Sequence, residues 1–146
     1  MRKSMIRLGV RTVLAASVLL GGGLVGAPSA FGAKAPKLVV SPSAGLKGGQ
    51  IVKVHGTGFK PKDNVYLVEC LATATGGSQC NTLAAIPVTI TAKGELPMTK
   101  FTLVAGSIGN GSCGTTKKNL KACEISAGNA NGGDSASVRI IFRLKK

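Results

Sequence analysis

Tryptophan is absent from the 146-residue chain, tyrosine occurs once, as Tyr66, and aromatic residues amount to 3%. Proteins that read single-stranded nucleic acid stack bases on several exposed rings. Beyond residue 33 only Phe59, Tyr66, Phe101 and Phe142 are available, and Phe101 and Phe142 fall in register with apolar core positions. Base readout is therefore excluded, and contact with DNA reduces to salt-sensitive charge attraction or to a carried ligand. Histidine is also single, and the five acids, Asp63, Glu69, Glu95, Glu124 and Asp134, are dispersed. A hydrolase needs a nucleophile, a base and an oxyanion site. His55 closes an alternating run beside Gly56 and shares a face with Lys53, which reads as a loop-edge residue and not as a general base. No pair of acids is singled out for glycoside hydrolysis. The segment HGTGF lacks the spacing and strand-to-helix setting of a phosphate-binding glycine loop and reads as a turn. No catalytic residue and no metal site are expected, since one histidine and paired cysteines leave few ligands for a first-row metal.

Four basic residues, Arg2, Lys3, Arg7 and Arg11, precede an apolar run from Thr12 to Ala27, and small residues follow at Ser29, Ala30, Gly32 and Ala33. That order is the pattern of a cleavable secretory leader over 1–33, with cleavage between Ser29 and Ala33. The competing reading, a membrane anchor, is weakened by Gly21, Gly22 and Gly23, which interrupt a run already shorter than the ~20 apolar residues a spanning helix needs. What remains, 34–146, is about 113 residues, the size of one domain.

The formal charge of +14 includes the leader; the remainder carries about +10. Its bases are scattered, with looser clusters at Lys117, Lys118, Lys121 and at Arg139, Arg143, Lys145, Lys146. Solubility accounts for such a balance, and so does attraction to a polyanion. All four cysteines, Cys70, Cys80, Cys113 and Cys123, lie beyond the leader, and an even count in a small exported domain reads as two disulfides. Three pairings are open. Cys70 with Cys80 and Cys113 with Cys123 is favoured, because each pair brackets a Gly/Ser/Thr/Asn-rich stretch that needs tethering. A tetrathiolate zinc site competes, although the spacings are unlike those of a zinc knuckle and an oxidising compartment works against free thiolates.

Beyond residue 33 the pattern is that of strands. IVKVH sets Val52 and Val54 against Ile51, Lys53 and His55, and NVYLVEC sets Tyr66, Val68 and Cys70 against Val65, Leu67 and Glu69. IPVTITA groups Ile86, Val88, Ile90 and Ala92; SVRIIFRLKK groups Val138, Ile140, Phe142 and Leu144. One apolar and one wetter face per strand is the antiparallel pattern. With shorter runs at 37–41, 99–105 and 121–127 the total is about seven strands separated by turns, which suits an all-β, immunoglobulin-like Greek-key sandwich. The glycine-rich stretches 105–119 and 128–135 read as loops.

Within that frame, VSPSAGLKGGQIVKVHGTGFKPKDNVYLVEC resembles the amino-terminal half of the neocarzinostatin and macromomycin family. The shared features are Pro42, Gly45-Leu46, Gly49-Gln50, Gly56-Thr57-Gly58, Lys60-Pro61 and Val65-Tyr66 running into Cys70; the interval to Cys80 and the stretch Ser126-Ala127-Gly128 extend the likeness. Neither LATATGGSQ nor AGSIGNGS holds an aromatic, so the chain resembles an aromatic-poor, basic member. The resemblance implies a secreted apoprotein, a seven-stranded immunoglobulin-like sandwich and two local disulfides. It implies no catalysis and no cofactor apart from a noncovalently held enediyne-type chromophore. That cargo is an antibiotic shielded from water and thiols in a cleft between the sandwich and a disulfide-tied ribbon, and the released molecule damages DNA. By position, the Cys70–Cys80 disulfide would floor the cleft, and Ser126, Ala127 and Gly128 would line a wall; Ser126 is equally an ordinary strand-end hydroxyl. Tyr66 and Val68 belong either to the core or to the cleft, and the apolar face of an alternating strand favours the core. The expected state is a monomer whose partner is a small hydrophobic ligand. The other functional class is a cationic extracellular module that binds an anionic polymer or cell surface without any chromophore.

Overall fold

The structure is a computed structural model that describes residues 35–144; the expected leader, 1–33, lies outside the described residues. Among the described residues ten strands form three sheets. β1 (Lys37–Ser41), β3 (Ile51–Thr57) and β6 (Glu95–Thr102) make an antiparallel sheet in the order β1-β3-β6. β2 (Ala44–Leu46), β4 (Asn64–Leu71), β5 (Ile86–Thr89), β9 (Cys123–Gly128) and β10 (Ala136–Phe142) make a second sheet in the order β2-β10-β9-β4-β5, antiparallel except for the β2-β10 edge. β7 (Gly106–Ile108) and β8 (Gly111–Cys113) form a separate two-stranded ribbon.

The alternation read from the residues is what joins the two larger sheets. Leu38, Val40, Val52, Val54, Leu96 and Phe101 project from the first, and Val65, Leu67, Val88, Ile125, Ile140 and Phe142 from the second, into one buried cluster. Two sheets that share one apolar filling are a β-sandwich. Gly32–Lys146 is a compact unit and contains every one of these core side chains.

HGTGF is not a turn throughout: His55, Gly56 and Thr57 end β3, only Gly58 bends, and the two glycines serve the core. Gly56 faces inward, where a Cβ would stand 2.8 Å from the Phe59 ring and 2.6 Å from the Lys37 carbonyl oxygen. With both glycines small, the chain turns through Gly58 at φ 82° and Phe59 folds beneath β3, 3% exposed.

Four further expectations change. The strands number ten because β2, β7 and β8 are three residues each, too short for any period to show. Accordingly 105–119 is not all loop: it contains the ribbon. The run 99–105 belongs to a strand that starts earlier and ends at Thr102, and the run 121–127 to one over Cys123–Gly128. Finally, the inward side of β4 is Val65, Leu67 and Glu69, so Tyr66 and Val68 are not core. A carboxylate in the apolar set made that side look wet, whereas Glu69 is fully buried.

Candidate functional site

Strand parity on β4 and β9, with the register between them, assembles the outer face of the five-stranded sheet. Tyr66 lies opposite Gly128, Val68 opposite Ser126 and Cys70 opposite Glu124. On the flanks, Pro87 of β5 pairs with Tyr66, while Ser137 and Arg139 of β10 pair with Ser126 and Glu124. The centre of the face is thus an aromatic ring, a valine and a disulfide sulfur, with hydroxyl and charged groups along one side. Tyr66 is 47% exposed, Val68 and Ser126 are half-buried, and the Ser126 hydroxyl donates to Glu124 Oε1 at 3.3 Å.

Five of the seven candidate residues, Tyr66, Val68, Cys70, Ser126 and Gly128, point to this face, and Cys80 joins them through its bond to Cys70. Ala127 does not. It is 1% exposed and sits between outward Ser126 and Gly128 on the inward parity of β9, so it packs in the core instead of lining a wall. Glu124 and Arg139 were missed. The parity that pairs Ser126 with Glu124 was available in CEISAG, but nothing in one strand reveals which side meets the core.

The disulfides join Cys70 to Cys80 and Cys113 to Cys123, and no cysteine is free. Zinc on four thiolates is thereby overturned: the sulfurs are bonded to one another. Glu69, Cys113 and Cys123 cluster within 4.8 Å, yet with both sulfurs in a disulfide only the carboxylate remains as a donor.

Cys70 points outward but is only 3% exposed, because the loop after β4 returns over it. The Asn81 amide donates to the Glu69 carbonyl at 2.8 Å, which pins that return. The ribbon presses on the same loop. Gly109, at φ 51°, leaves no room for a Cβ against the Ser78 carbonyl oxygen, and a Cβ on Gly111 would stand 2.6 Å from Leu71 Cδ1. Glu69 anchors the ribbon's roots from inside. Its Oε2 accepts the Val104 amide at 2.8 Å, and its Oε1 lies 3.7 Å from Cys113 Sγ. Burial pushes the Glu69 carboxyl up to about 7, opposed by the Val104 hydrogen bond.

Two surface hollows lie elsewhere. One, of about 880 Å³, is lined by Lys47, Gly48, Ala105, Gly114, Thr115, Arg143 and Leu144; the other, of about 620 Å³, lies around Phe59, Lys60 and Asp134. Neither includes a candidate residue. His55 is in the other sheet, half-buried, with Nδ1 lacking a hydrogen-bond partner. Among the described residues no helix is long and apolar enough to cross a membrane.

The face stands on an immunoglobulin-like sandwich with two local disulfides. The chain belongs to the neocarzinostatin family, whose model matches residues 38–142. Macromomycin from Streptomyces macromomyceticus is 28% identical over 113 residues, covering 74% of this chain and 77% of that protein. Among solved structures, macromomycin superposes with a TM-score of 0.60 at 25% identity, covering 75% of this chain and 100% of the other. Apokedarcidin in solution gives 0.52 at 24% identity, with 75% and 100% covered, a likeness of fold.

Proposed function

We propose that this protein is a secreted, non-catalytic carrier that holds a small hydrophobic molecule, of the enediyne antibiotic class, against the outer face of its five-stranded sheet. The observation that carries this reading is the outward row Tyr66, Val68 and Cys70–Cys80, exposed at Tyr66 and flanked by Ser126 in cross-strand register. Membership of the neocarzinostatin family supports it. An apolar floor removes ligand surface from water, and a few polar groups fix its orientation. The wall is shorter than the sequence resemblance implied, since it consists of Ser126 and Gly128 without Ala127. The chain acts as a monomer after loss of its leader, and antimicrobial action and contact with DNA belong to the released cargo.

Tyr66 provides the test. It is the sole tyrosine in a chain without tryptophan, so tyrosine fluorescence reports on this face alone. Titration with a polyaromatic probe is expected to change the emission saturably at one probe per chain, and Val68→Lys to abolish the change while leaving the thermal melt in place. Mass spectrometry of the native secreted protein under mild conditions should retain a chromophore. Unchanged Tyr66 emission together with repeated isolation of bare polypeptide would overturn the carrier reading.

A further inference from the structure

We propose that the outer face of the three-stranded sheet docks on an anionic lipid bilayer. This face belongs to a different sheet from the ligand face, and the proposal does not rest on the carrier reading. Strand parity sends Lys37, Val39 and Ser41 of β1, Ile51, Lys53, His55 and Thr57 of β3, and Pro97, Lys100 and Thr102 of β6 to the outside.

Two independent features of the face point to such a partner. The first is apolar exposure. Ile51 is 58% exposed, Met98 61% and Val39 46%, so half of the six large hydrophobic side chains left exposed among the described residues lie on the outer side of this one sheet, Val39 and Met98 either side of His55 and Ile51 beyond Lys53. A bulge contributes to this: between the Val54–Thr99 and Gly56–Leu96 pairs, β6 carries both Pro97 and Met98 opposite His55, which turns Met98 outward beside Pro97. The second feature is charge. Lys53 stands directly opposite Lys100 and next to Ser41 on its other side, and Lys37 lies at the far end of β1. Like charges directly opposed across a sheet destabilise it unless an anion lies over them. In this register the face has one acid, Glu95, opposite Thr57.

A soluble polyanion would neutralise the lysines but leave Val39, Ile51 and Met98 in water. A bilayer bearing anionic headgroups satisfies both, with phosphates over the Lys53–Lys100 pair and the apolar side chains at the headgroup boundary.

The test uses residues 34–146, disulfides intact, in co-sedimentation with vesicles of equal parts phosphatidylglycerol and phosphatidylcholine, against pure phosphatidylcholine. Binding is expected only to the anionic vesicles and should weaken as salt is raised. Lys53→Gln with Lys100→Gln should weaken it about 25-fold, at about fivefold per lysine. Lys117→Gln with Lys118→Gln removes the same charge from the 113–123 loop and should leave binding within about twofold. Ile51→Ser with Met98→Ser should also weaken vesicle binding, with an unchanged thermal melt as the folding control. Equal binding to pure phosphatidylcholine, or equal losses from the two lysine pairs, would overturn the docking face. Full retention of vesicle binding by the Ile51/Met98 variant, alongside tight binding to soluble polyphosphate, would replace the bilayer with a polyanion and overturn the proposal too.

Discussion

The Cys70–Cys80 and Cys113–Cys123 loops span the same ten positions in sequence, yet the sandwich uses them differently. Cys113 and Cys123 are both fully buried, and their bridge joins the end of the ribbon to the start of β9 beside the Glu69 carboxyl. The Cys70–Cys80 bridge lies on the outer face and Cys80 is half-buried, while the chain between the cysteines is exposed to the same degree in both loops. Internal support differs in the same direction. In the first loop Gln79 Oε1 accepts from the Thr75 amide and hydroxyl. In the second, Asn119 Oδ1 accepts two amides, from Thr115 and Thr116, and Nδ2 donates to Ser112 Oγ and Thr115 Oγ1. Equal spacing therefore says nothing about role. One loop is a covalent part of the core, and the other is a cover over the face assigned to the ligand.

Removing each bridge tests that difference most severely. Closing a loop of this length restricts the unfolded chain by about 3 kcal/mol in either case. Cys113→Ala with Cys123→Ala also empties sulfur volume from a fully buried site, which raises the expected loss to about 4–5 kcal/mol, measured by urea unfolding of residues 34–146. Cys70→Ala with Cys80→Ala is expected to cost no more than about 3 kcal/mol, and it should cost more in probe binding, read at Tyr66, than the deeper bridge does. Equal stability losses would erase the distinction between core and cover.

Glu69 sharpens the comparison from within. Its carboxyl is raised from an ordinary 4.5 to about 7 by burial, so the native state keeps a proton that the unfolded chain releases over that interval. The Glu69 contribution to stability is accordingly greatest below pH 4.5, declines as pH rises through about 7, and is level above. The full shift corresponds to about 3 kcal/mol. Glu69→Gln preserves the acceptor for the Val104 amide without the charge, but adds an amide N–H that needs a partner. A gain of about 2 kcal/mol at pH 8, vanishing near pH 4, is expected from denaturant midpoints across pH. A wild-type stability that does not fall between pH 5 and 8 would remove Glu69 from this account.

Much of the fold was legible in the alternation of β3, β4, β5 and β10, because sequence period and burial share one cause. The disulfide pairing was legible because each pair brackets a stretch that cannot hold itself. Period, however, sorts a strand into two sides without naming the inner one. Tyr66 with Val68 looked drier than a side containing Glu69, and that inference failed because a single neutral carboxyl inside the core costs less than exposing Val65 and Leu67. The same ambiguity placed Ala127 on the wall and hid Glu124. Gly106–Ile108 and Gly111–Cys113 left no trace of any kind, since three residues with glycine carry no period.

The smallest expected effect concerns Asn119, which separates the two loops without touching a sulfur. Asn119→Ala removes all four side-chain hydrogen bonds, but the disulfide still closes the loop and the freed Thr115 and Thr116 amides can turn to water. The loss should be about 1 kcal/mol, not the sum over four bonds. It should be local as well, with faster amide hydrogen exchange at Thr115 and Thr116 and unchanged exchange on β4 and β9. Asn119→Asp keeps both accepted bonds and loses the two donated ones, so its exchange should fall between the wild type and Asn119→Ala. If Asn119→Ala instead lowered protection along β9, the loop would be part of the cooperative core in its own right, and the bridge would not be what sets it apart from the Cys70–Cys80 loop.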